Sequence, residues 1–170
     1  MSLDADKLSN TLAVAFRSGG SSYLGAAESW VDAYTKYAAD ANGFGGAPVI
    51  PVGTKETMVA ALVPAFSNVS ISVEKTAIIA NALANAFTAY WLLPPIAFYI
   101  EIGEVPVNIA NVFLVSPVAT AALSVALGSI FGTPLAQLNL ATGLISGAID
   151  IFTHTVIVKN TQSGLVLPIS

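Results

Sequence analysis

Residues 85–100, NAFTAYWLLPPIAFYI, are the most hydrophobic stretch of this chain. Three settings can hold such a stretch: a membrane span, the core of a folded domain, or a surface that another subunit covers. A span needs ~20 apolar residues to cross a hydrocarbon layer of ~30 Å. A helix from about Val73 to Leu93 has that length, and Pro94-Pro95 forbids its continuation. Its phase argues against lipid. At 100° per residue, Ile79, Leu83, Ala86 and Tyr90 share one face, with Asn81, Asn85 and Thr88 opposite. Asparagines turned to lipid are costly unless another helix satisfies them. The stretch reads as a packing helix that stops at the prolines and turns into an interface. The segment 96–115 is rich in β-branched and aromatic residues and fits either extended segments or short helices.

Working outward, the composition explains why that interface matters. The chain has 170 residues, 55% of them apolar and only 9% charged, against roughly 25% charged in an ordinary soluble domain. Ten of the charges fall between Asp4 and Glu56; beyond them stand only Glu74, Lys75, Glu101, Glu104, Asp150 and Lys159. The N-terminal third can therefore face water, while the remainder has little with which to do so. This leaves a membrane protein, a secreted domain with an apolar surface, or a subunit that buries its exterior in an assembly. A net charge of −4 with six Lys and Arg argues against a nucleic-acid partner, which needs clustered cations. The absence of cysteine excludes disulfides and thiolate chemistry. MSLDADKLSN has no basic region leading into an apolar one, so a secretory signal is not expected.

The expected organisation is one domain over 1–170: a more polar helical pair in 1–43, a Gly/Pro loop in 44–53, an apolar helical core in 54–153, and a β tail in 154–170. Asp4 or Asp6 caps a first helix bearing Leu8, Leu12, Ala15 and Phe16 on one face. A second, about Ser22–Ala41, carries Leu24, Ala27, Val31, Tyr34 and Ala38 on one stripe. Thr54 caps a third with Met58, Leu62 and Phe66, which Pro64 kinks or ends. Ser70 or Ser72 starts the fourth. Ser116-Pro117 and Thr133-Pro134 each place a capping residue before a proline at the first helical position, predicting a helical hairpin of roughly 117–131 and 134–151 built from closely packed small residues. HTVIVKNTQSGLVLPIS predicts two short strands around a turn ending at Gly164. Such a ribbon needs a partner, either another subunit's strand or the chain's own 96–115 region. The fold class is therefore mainly α, a bundle of about six helices with a C-terminal β-hairpin or strand-exchange tail.

Chemistry-bearing motifs are absent. His154 is the sole histidine and has no ligand cluster near it in sequence, so it reads as structural. Glu101 and Glu104 could form an acid–base pair, but they lie between apolar segments and read as solubilising a loop. FRSGGSS, VGTKET and GLISGA match neither phosphate-loop nor nucleophile-elbow spacing. No catalytic residue, cofactor or metal is expected. Aromatics at helical spacing ordinarily fill a core, yet the shortage of charge favours an interface for some. The interface candidates are Tyr90, Trp91, Phe98, Tyr99, Val156, Val158, Leu165 and Leu167.

In MSLDADKLSNTLAVAF, ESWVDAYTKYA and NAFTAYWLLPPIAF the chain resembles the small Ala-rich virion structural proteins of tailed bacteriophages. The resemblance implies a non-enzymatic head, neck or tail subunit, made in the host cytoplasm and packed against copies of itself and other assembly subunits. Two competing readings predict different behaviour. A membrane-inserting pore or holin-like protein requires a lipid-compatible helix. A helical carrier of an apolar ligand requires a closed cavity beneath a polar exterior.

Overall fold

Local signals in the chain set most element boundaries. In the computed structural model, which describes residues 3–18, 22–42, 54–67, 73–92, 98–102, 105–109, 111–134, 137–160 and 164–170, Asp4 Oδ1 accepts from the amides of Asp6 and Lys7 at 2.9 and 3.1 Å. That capping opens helix α1 (Ala5–Ser18). Ser22 accepts from the Gly25 amide to open α2 (Tyr23–Ala38), and Thr54 from the Thr57 amide to open α3 (Lys55–Ser67). Helix α3 runs through Pro64 and stops at Ser67, three residues later. Helix α4 spans Val73–Leu92. Ser116 caps α5 (Pro117–Phe131), with proline at its start and Gly132 after its end.

Between α4 and α5 the described residues include three strands. Strands β1 (Phe98–Ile102) and β2 (Val105–Ile109) pair antiparallel as a two-stranded ribbon. Strand β3 (Asn111–Leu114) joins a separate antiparallel sheet of order β3-β4-β5 with β4 (Ile157–Asn160) and β5 (Val166–Pro168). The C-terminal strands thus find their partner inside the chain: Phe113 stands opposite Val158, and Val158 opposite Leu167. Gly164 enters β5 with φ +69°, a conformation that side chains resist. Beyond β5 the Ile169 amide donates to Val156 O at 3.0 Å, and Asn42 and Ser170 exchange two backbone hydrogen bonds.

Successive helices pack on one another from α1 to α6, and α6 (Leu138–His154) returns against α1, closing the cycle. Helix α2 reaches across it. Trp30 meets Phe131 of α5 edge-on, Tyr34 stacks on Phe87 of α4 at 4.1 Å, and Tyr37 bonds Asp150 of α6. One cluster of buried side chains runs from Leu3 to Ile169. Small residues face each other between α4 and α5: a Cβ on Gly128 would sit 3.7 Å from that of Ala80. Thr88 and Thr120 hydroxyls bond across the same seam at 2.8 Å. The phase expected for α4 holds for Leu83, Ala86 and Tyr90, which are buried, and for Asn81 and Asn85, which are exposed; Ile79 is only partly buried, and Thr88, placed on the polar stripe, is half-buried against α5. No helix among the described residues is long and apolar enough to cross a membrane.

Several expectations need correction. The segment 54–153 is not helical throughout, because β1–β3 interrupt it. The apolar stripe expected on α2 is buried at Ala27, Val31, Tyr34 and Ala38. Leu24, assigned to its inner stripe, is exposed. Helix α6 starts at Leu138 and not at Pro134, and the Thr133 hydroxyl donates back to Ser129 O at 2.8 Å. The Gly/Pro loop 44–53, Ser70, Ser72, Pro94, Pro95 and Glu104 lie outside the described residues.

The centre of the bundle depends on one polar contact. Trp91 Nε1 donates to Tyr34 Oη at 2.6 Å, with both side chains fully buried. Tyr34→Phe strands that indole donor, so it is expected to cost about 1–3 kcal/mol in urea denaturation; an unchanged midpoint would show that the indole has another acceptor.

Candidate assembly interface

The eight residues singled out from sequence divide sharply. Tyr90 and Trp91 are buried in the chain's own core, Trp91 completely, against Tyr34 and Phe113. Val156 and Val158 are likewise buried, Val158 on the inward side of β4 and Val156 just before that strand. These four face inward and are withdrawn as interface residues. Phe98 and Tyr99 lie in β1, and their side chains fall outside the described residues. Leu165 and Leu167 remain at the surface, 53% and 39% exposed, flanking Val166 on the edge strand β5.

A larger apolar face lies elsewhere. No charged residue occurs between Glu104 and Asp150, and α5 and most of α6 fall in that interval. Their outer sides leave Val118, Val125 and Ile151 more than 70% exposed, with Leu140 and Leu144 about half exposed. Between them runs a groove of ≈ 480 Å³ floored by Ala119, Ala122, Ala126, Gly143, Gly147 and Ala148. The groove is open, since Gly143, Leu144 and Ile151 on its wall are exposed. Helix α5 is apolar almost all round, so its phase in the sequence names no single inner face. Only the approach of α4 selects Leu123, Leu127 and Gly128 as inward and leaves Val118 and Val125 outside. Contiguous apolar surface of this kind marks interaction sites.

The glycines of α6 carry their own signal. A Cβ at Gly143 or Gly147 meets nothing within 4 Å, and mid-helix glycine costs about 0.5–1 kcal/mol relative to alanine. Nothing among the described residues of the protomer requires glycine at either position.

The polar groups in the interior are arranged for structure. Tyr37 donates to Asp150 Oδ1 at 2.5 Å, tying α2 to the end of α6. His154, half-exposed in the last turn of α6, places Nδ1 2.9 Å from Asp150 O and 3.5 Å from its carboxylate. Burial pushes the Tyr37 phenol far up, helped by the Asp150 carboxylate it bonds. Burial also raises Tyr34, partly opposed by its bonds to Thr153 and Trp91, and pushes Tyr90 up to about 12. These phenols stay protonated near neutrality; Tyr37 donates to Asp150, while Tyr34 accepts from Trp91. Among the described residues no group of three His, Asp or Glu could hold a metal. Glu101, in β1, stands opposite Pro106. Compared with known protein families, with characterised proteins and with solved structures, the chain matches none.

Two outcomes are expected here. Gly147→Ala should raise the thermal stability of the dissociated protomer by about 0.5–1 kcal/mol while weakening self-association, two readouts separable by melting and sedimentation. The three raised phenols bind protons in the folded state that the unfolded chain releases above its ordinary tyrosine range near pH 10. Their contribution is complete below about pH 10 and is lost as pH rises through it and beyond 12. Denaturant midpoints should therefore fall steeply between pH 9.5 and 11.5, roughly the onset of that window; a flat profile would refute the burial of these hydroxyls.

Proposed function

We propose that this protein is a non-enzymatic structural subunit of a multi-subunit assembly, joined to its neighbours through the α5–α6 face and the exposed edge strand β5. The observation that carries the reading is the charge-free apolar face on which Val118, Val125 and Ile151 stand exposed. Leaving such side chains in water forgoes about 1.5–3 kcal/mol each relative to burial. The exposed Leu165, Val166 and Leu167 add a second apolar rim. Support also comes from the interior, where Tyr34, Phe87, Tyr90, Trp91 and Phe113 pack on one another. The resemblance to phage virion proteins points the same way, and we place the assembly in a tailed-bacteriophage particle, as a head, neck or tail component with no nucleic-acid contact of its own.

Sedimentation of the purified protein is expected to show species larger than a monomer that grow with concentration. Val125→Asp combined with Ile151→Lys should return it to a monomer with an unchanged circular dichroism spectrum. A wild-type monomer at high concentration would overturn the assembly reading. Absence of the protein from purified particles, by mass spectrometry, would overturn its placement in a virion.

A further inference from the structure

Helices α2 and α3 pack along each other, and a groove of ≈ 640 Å³ runs over their seam. Its floor is the buried Val31, with Val59 and Val63 partly buried on the α3 side and Leu24 50% exposed at one end. Unlike the α5–α6 groove, this one has a charged rim: Glu28 and Asp32 stand on α2, Lys55 and Glu56 on α3, and all four are exposed. Lys55 Nζ bonds Asp32 Oδ1 across the seam at 2.6 Å. Among the described residues no ion pair reaches Glu28 or Glu56. Three carboxylates therefore share one cation, and Glu28 and Asp32 are spaced i, i+4, where like charges repel. Among the described residues they form no cluster that could hold a metal ion.

We propose that the α2–α3 groove seats a basic amphipathic helix of a different protein, its apolar side chains on Val31, Val59 and Val63 and its Lys or Arg side chains against Glu28 and Glu56. The inference goes beyond the packing of like copies, because no segment of this chain has the charge the groove asks for. The cations are Lys7, Arg17, Lys36, Lys55, Lys75 and Lys159. The nearest two in sequence, Lys7 and Arg17, are ten positions apart, whereas two helical turns span about seven residues. Residues 43–53, which join α2 to α3, contain no Lys or Arg. The α5–α6 face of a second copy carries no charge to offer the carboxylates. Size agrees with a helix. Leu24 and Asp32 are eight positions apart on α2, about 12 Å at 1.5 Å per residue, so the groove takes roughly two turns. Grooves between helices receive amphipathic helices through apolar anchors at i, i+3, i+4 and i+7. The charged rim then selects the partner and speeds its approach more than it adds affinity.

The test uses the full-length protein and a fluorescent peptide of about 18 residues, long enough to be helical alone, with Leu on one face and Lys on its flanks. The same peptide with Glu in place of Lys is the control. Fluorescence anisotropy is expected to show binding of the Lys peptide, weakening as salt rises, and none of the Glu peptide. Glu28→Gln combined with Glu56→Gln should lower that affinity about tenfold with an unchanged circular dichroism spectrum. Ala60→Phe, which fills the groove from an exposed position, should abolish binding, and Val125→Asp on the α5–α6 face should leave it unchanged. No binding, equal binding of the Glu peptide, or binding that survives both groove variants overturns the proposal, as does binding that only Val125→Asp removes. A multimeric wild type that ignores the Lys peptide overturns the groove and leaves the assembly reading standing. A monomeric wild type that binds it does the reverse.

Discussion

Trp91 donates its indole N–H to the Tyr34 hydroxyl at 2.6 Å, and the Tyr34 oxygen lies 3.4 Å from Thr153 Oγ1. That short chain of polar atoms ties α4 to α2 and α2 to α6 in a region otherwise filled by rings. Tyr34 stacks on Phe87 and meets Tyr90 edge-on, while Trp91 leans on Phe113 of β3. Each aromatic pair adds of order 0.5–1.5 kcal/mol beyond its buried area. The larger consequence is geometric, because a buried indole or phenol that lost its partner would pay a desolvation penalty. The position of the small sheet depends on the same cluster: Phe113 anchors β3 against α4, β3 holds β4, and β4 holds β5.

With the large aromatics committed to the centre, the smaller apolar side chains are left to cover the outside. Charge is concentrated in the first 56 residues, where the Lys7–Asp40 and Lys55–Asp32 pairs lie at the surface of α1–α3. Surface pairs of this kind contribute little to stability; their effect is to keep that side wetted. Helices α5 and α6 have no equivalent. Their outward alanines, glycines, valines and isoleucines form an apolar trough opposite nothing among the described residues of the protomer. The interior is well satisfied and the α5–α6 exterior is not, an asymmetry suited to a subunit within a larger body.

Where short-range chemistry governs, the sequence is legible. Asp4, Ser22, Thr54 and Ser116 cap helices because a side-chain oxygen and an amide two or three residues on need no distant partner. The inner face of α4 is readable because Asn81 and Asn85 leave only one side apolar. Thr133-Pro134 misleads because α6 opens only at Leu138, after Gln137, with no side-chain cap to mark its start. Tyr90 and Trp91 at helical spacing fit a core and an interface equally well. Their assignment needs the identity of the side chains that pack opposite, Tyr34 and Phe113, which are remote in the chain. The α5–α6 groove gives no signal for a related reason: a helix apolar all round has no phase to read.

The sequence by itself determined a mainly helical chain with a C-terminal pair of strands, the boundaries of most helices, and a shortage of charge too severe for an ordinary water-covered surface. These rest on local hydrogen bonding, side-chain period and composition, none of which requires knowing the neighbours. Only the tertiary structure decided that NAFTAYWLLPPIAFYI gives its Tyr90 and Trp91 to the core, that the C-terminal strands pair with residues 111–114 of the same chain, and that the uncovered apolar face belongs to α5 and α6. The physical reason is that burial is a property of pairs of elements. A side chain's fate depends on which surface meets it, and the pairing of α4 with α2, α5 and β3 is set by packing across distant parts of the chain.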